Sequence, residues 1–193
     1  MMKGPFKAER KGIRVRIEQA EREVLVQLLT QLDELLDDGR AEPDDPLAQL
    51  VGLGGFEGLM DAEPPQPPED PALARLLPDA SREDPGAAGE FRRLTEHSLR
   101  TRKREGARTA AAALSRPEPV HLSHAEALSL LKAMTDIRLV IGERLELKTD
   151  ADAAMLHDRL WAGEGDPSWL AIASTYELLT YWQENLVGVI SRR

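Results

Sequence analysis

The chain has 193 residues, 41% apolar, 31% charged and only 4% aromatic, with a net charge of −9 and no cysteine. That length suits one sizeable domain with appendages, and a composition led by Leu and Ala favours helices over sheet. Lack of cysteine excludes disulfides, thiolate nucleophiles, iron–sulfur clusters and thiol switches; no run of about 18 apolar residues is present to span a membrane.

The N-terminus MMKGPFKAERKG lacks the apolar stretch of a secretory signal, so the expected compartment is the cytoplasm. Residues 1–16 carry +5. In GIRVRI at 12–17, Ile13, Val15 and Ile17 alternate with Arg14 and Arg16. Period two predicts a half-buried strand, with FKAERKG before it as a hairpin partner and a turn near Lys11-Gly12. From Gln19 to Asp37 the period changes. Leu25, Leu28, Leu32 and Leu36 recur at helical spacing, and Gly39 follows as a stop.

Residues 39–69 hold six prolines and five glycines, including PPQPP, and predict an exposed linker. GLGGFEG at 52–58 fails as a dinucleotide loop, because Glu57 replaces the third glycine and no strand precedes it. Beyond the linker, Asp70-Pro71, Asp84-Pro85 and Asp166-Pro167 punctuate the chain. Asp accepts bonds from first-turn amides, and Pro needs no partner there. They predict helices over about 71–77, 85–105 and 167–190. Ser123-His124-Ala125-Glu126 is a capping box for a further helix with Ala127, Leu130, Met134, Ile137, Ile141 and Leu145 on one side. Thr149 or Asp150 opens another, ended by Gly163 and Gly165.

The expected fold is therefore mostly α: a helical bundle with a small N-terminal β-strand or hairpin. Residues 1–38 form the hairpin and first helix packed on the bundle, 39–69 the linker, and 70–193 the bundle.

Residues 89–108 carry +4, which leaves −18 for the rest outside the two basic segments. Arg93, His97, Arg100, Arg104 and Arg108 are spaced 4, 3, 4 and 4 and fall in one helical stripe. Two readings stand: a solvated charged face, with or without pairing to carboxylates elsewhere, or a contact surface for an acidic partner, protein or DNA. Apolar residues opposite the stripe fade after Leu99, so the second half of that helix is expected to project or to pack weakly. Asp136 and Arg138 lie within the apolar stretch MTDIRLVIGERL. Each is either a structural charge or a polar hot spot at an interface.

His121-x-x-His124 has metal spacing but no third ligand, and neither a metal nor any other cofactor is expected. Asp136, Glu143 and Asp152 have no spacing that marks them as an acid/base pair, so no enzyme is expected. Residues 152–162, GEGD and 167–190 have the shape of a helix-turn-helix, but no Lys or Arg stands between Arg159 and Arg192 to hold phosphates. Ile172, Tyr176, Leu179, Gln183, Leu186 and Ile190 form a core or homodimer stripe instead.

Three blocks, DPALARLLPDASREDPGAAGEFRRLTE, LLKAMTDIRLVIGERLEL and STYELLTYWQENLVGVI, together with IRVRIEQAEREVLVQLLTQLDELL, resemble the actinomycete oxidative-stress regulator (AosR) family. The resemblance covers most of the chain outside 39–69. It implies a cytoplasmic, non-enzymatic protein in transcriptional control under oxidative stress, acting with a sigma factor or RNA polymerase. A link to proteolysis through the adaptor of the Clp protease is implied as an alternative. Asp79, Arg92, Arg93, Asp136 and Arg138 are the matched positions of interest. Without cysteine a disulfide switch cannot operate here, so the shared role would rest on partner binding.

Overall fold

The computed structural model describes residues 4–39, 66–79 and 84–192. The expected hairpin is present as β1 (Phe6–Glu9) and β2 (Gly12–Val15). Ile13 and Val15 of β2 are buried while Arg14 is exposed, as the alternation requires. The antiparallel register pairs Phe6 with Val15 on one side of β2 and Ile13 with Leu122 on the other. The second pairing brings in β3 (His121–Leu122), a strand too short to show any period in the sequence. Gly12 sits at φ +132°, and a Cβ there would lie 2.4 Å from the Leu122 carbonyl oxygen. Only glycine fits so close a strand approach.

Six helices follow among the described residues: α1 (Gln19–Leu35), α2 (Pro71–Leu76), α3 (Pro85–Leu114), α4 (His124–Arg144), α5 (Asp150–Ala162) and α6 (Pro167–Ile190). The caps are those the sequence signals. Asp70, Asp84 and Asp166 accept from the amides of Ala72, Ala87 and Ser168 at 2.8, 3.0 and 2.9 Å. Ser123 with Glu126, and Thr149 with Asp152, form reciprocal capping boxes. Gly163 ends α5 in the left-handed conformation, φ +70°.

Leu25 and Leu29 of α1, Leu114 of α3, Leu130 and Met134 of α4, and Leu179 and Leu186 of α6 join Phe6 and Ile13 in one core. Full burial of each such leucine contributes about 1.5–3 kcal/mol. α4 lies at the centre, packed by α1, α2, α3 and α6. α5 lies against α6. The fold is mostly α with a small N-terminal antiparallel sheet, as expected. Residues of the 1–38 segment share the core with residues beyond Leu76. Residues 40–65, with GLGGFEG and most of the expected linker, lie outside the described residues.

One expectation fails. The second half of α3 does not project; it is the packed half. The helix runs to Leu114, and Ala107, Ala110, Ala113 and Leu114 are all buried. The first half instead shows Phe91 and Leu94 to solvent, 51% and 45% exposed. Alanines bury here by letting backbones approach, without large side chains. Gly106 does not break the helix, because one glycine costs only about 1 kcal/mol within a well-packed helix.

Candidate functional site

The basic stripe of α3 does not face solvent as a row. From His97 onward it meets the acidic end of α1. Arg104 donates from Nε to Asp33 Oδ1 and from Nη1 to Asp37 Oδ1, each at 2.8 Å. Arg108 Nε donates to the other Asp33 oxygen at 3.0 Å. His97 Nδ1 lies 3.6 Å from Asp38 Oδ2. Arg100 is buried, bonded to Glu96 at 2.8 Å and to the Leu36 carbonyl at 3.3 Å. That last bond places a cation on the C-terminus of α1, where the helix dipole favours it. Arg93, one turn before, pairs with Glu90 at 2.8 Å on its own helix.

The electrostatics agree with the geometry. Asp33 holds the Arg104 guanidinium above its ordinary pKa, against the opposing effect of burial, with Asp37 adding to it. The Asp37 carboxyl lies below its ordinary value, through the Gly39 amide first and the Arg104 guanidinium next, with burial opposing both. The seam had a legible signal. Asp33 and Asp37 are spaced by four, as are Arg100, Arg104 and Arg108, and matching i,i+4 charges on two helices suit each other.

The other singled-out charges divide. Arg92 is buried and its Nη2 donates to Asp79, with Nη1 3.4 Å from Glu96. This ties the chain after α2 to α3. Asp136, also buried, accepts from Lys103 Nζ at 2.6 Å and joins α4 to α3. Both are structural pairs. Glu143 bonds Arg75 at 3.1 Å and Asp152 caps α5, so the three carboxylates weighed as catalysts serve three separate tasks. His121 bonds Glu9 at 3.2 Å, and His124 is exposed at the first position of α4. Among the described residues, no three His, Asp or Glu side chains converge as a metal site.

Arg138 differs from all these. Its Nη1 donates to Gln183 Oε1 at 2.7 Å and its Nη2 to the Tyr176 hydroxyl at 3.2 Å. The guanidinium carbon lies 4.9 Å from the centre of the Tyr176 ring. Gln183 in turn donates to Thr135 at 2.7 Å. Arg138 Nε is buried with no hydrogen-bond partner. Both hydrogen-bond partners of this half-buried cation are neutral, and no ion pair to a carboxylate forms at it among the described residues. On α6, Ile172, Tyr176, Gln183 and Val187 lie along one stripe at spacings of 4, 7 and 4. Ile172 and Val187 are exposed, as is Leu139 beside Arg138 on α4.

The α6 stripe read from sequence thus splits. Leu179 and Leu186 are core, joined by Trp182, while Ile172 is on the outside.

A family model described as a domain of unknown function, DUF2017, matches residues 2–190. The chain belongs to this family. No curated protein and no solved structure matches it. The family match spans hairpin, bundle and C-terminal helix together, so the Arg138 face and the α1–α3 seam both fall within its bounds. Among the described residues no helix is long and apolar enough to cross a membrane.

Proposed function

We propose that this protein is a non-enzymatic regulator that docks a transcription component, a sigma factor or RNA polymerase, through the α4–α6 face around Arg138. The observation that carries this reading is the half-buried Arg138 cation with neutral hydrogen-bond partners and an orphaned Nε. A desolvated charge without a counter-charge is costly alone and favourable once an acidic group reaches it. Arg, Tyr and apolar side chains at the centre of a patch are also the usual anchors of protein interfaces. Resemblance to the oxidative-stress regulators supplies the transcriptional context.

The α3 stripe gives direct DNA binding less support, because its cations already hold carboxylates. The test is retention from nuclease-treated cell extract by wild type, Arg138→Met and Ile172→Asp, each checked for unchanged melting. Wild type is expected to retain polymerase or a sigma factor and both variants to lose it. Equal retention by folded variants refutes the face. Retention of Clp components or of a second copy in place of polymerase refutes the transcriptional role.

A further inference from the structure

Arg102 and Lys103 lie off the stripe, on the side of α3 that faces α4. There the two helices enclose a groove of about 660 Å³, within the range of small-molecule sites. Leu99, Gly106 and Ala133 provide an apolar floor. A Cβ on Gly106 would meet nothing within 4 Å, so the groove is open at that point. Three cations line it: Arg102, Lys103 and Lys132.

These cations are not equivalent. Lys103 is committed to the buried Asp136 at 2.6 Å. Arg102 anchors its Nε on the Ser98 carbonyl at 3.2 Å, which fixes the base of the guanidinium and leaves its two terminal nitrogens for another acceptor. Neither Arg102 nor Lys132 pairs with a carboxylate among the described residues. The hydroxyls of Thr109 and Ser129 also line the groove. Glu105 at the groove is the one opposing charge left once Asp136 is paired.

We propose that this groove binds a phosphate-bearing small molecule of nucleotide size, with its phosphates on Arg102 and Lys132 and its apolar body over Leu99 and Ala133. Arg offers a planar fork suited to phosphate oxygens, and Lys a movable point charge. This site borders the Arg138 face at Thr135, which lines the groove and accepts from Gln183, but its cations are other residues and it needs no protein partner.

The test is calorimetric titration of the full chain with ATP and, separately, with inorganic phosphate, at about 50 and about 200 mM salt. ATP should bind one to one, with affinity falling as salt rises. Arg102→Ala and Lys132→Ala should each weaken it about tenfold, the worth of one charge-assisted bond. Glu105→Gln should tighten it. All three are exposed side chains, so melting should be unchanged. No saturable ATP binding by wild type overturns the site. Equal affinity in all variants places the ligand elsewhere and overturns it too. Inorganic phosphate binding as tightly as ATP refutes the role of the apolar floor and with it the nucleotide-sized ligand.

Discussion

Arg104→Glu is the substitution that decides what the basic helix is for. A solvated stripe predicts no loss of stability, whereas the observed seam predicts a large one. The Arg104 side chain is 12% exposed and that of Asp33 21%, so their 2.8 Å bond is only partly screened. A charge-assisted bond of this kind contributes about 1–2 kcal/mol. Arg104→Met should therefore lower the melting temperature by about 3–6 °C in a chain of this length. Arg104→Glu removes the same bond and places a third carboxylate beside Asp33 and Asp37. Repulsion raises the expected cost to about 3–4 kcal/mol, or about 10 °C. Thermal unfolding followed by circular dichroism reads both. A cycle with Asp33→Asn should show coupling of about 1 kcal/mol, since the two groups touch. If Arg104→Glu melts within about 1 °C of wild type, the seam is not formed in solution and the stripe is open to partners.

Glu126 should shape the acid limb of stability. Its pKa is lowered from 4.5 to about 2, by Arg116 first and the Ser123 amide and hydroxyl next, with burial opposing. A lowered folded-state value means full stabilisation above pH 4.5, lost as pH falls towards about 2. Arg116 is half exposed, so about 1 kcal/mol is expected after screening. Urea unfolding of wild type and Glu126→Gln should show a gap that closes across that window; a gap constant with pH refutes the linkage. Two glycines should respond in opposite directions. Gly12→Ala forces a Cβ against the Leu122 carbonyl at positive φ and should cost about 2 kcal/mol or more. Gly106→Ala, in an open helical position, should stabilise by about 0.5–1 kcal/mol. Equal melting of the two variants would refute both assignments.

The sequence by itself determined the local elements of this protein. Ile13 and Val15 alternate, Asp-Pro pairs and Ser123/Glu126 cap, and Gly163 terminates, because each signal acts within a few residues through backbone geometry and nearest amides. The singled-out residues were visible as charges out of keeping with their surroundings, but their partners were not. Tertiary structure decided that Arg104 meets Asp33 across 71 residues and that Lys103 meets Asp136 across 33. It also decided that Arg138 is left with neutral hydrogen-bond partners. The packed half of α3 was hidden for a related reason: alanine burial depends on how closely another helix approaches, which no periodicity within α3 records. A charge's role depends on its counter-charge, and long-range pairing is set by how the whole core packs, not by the residues beside it in the chain.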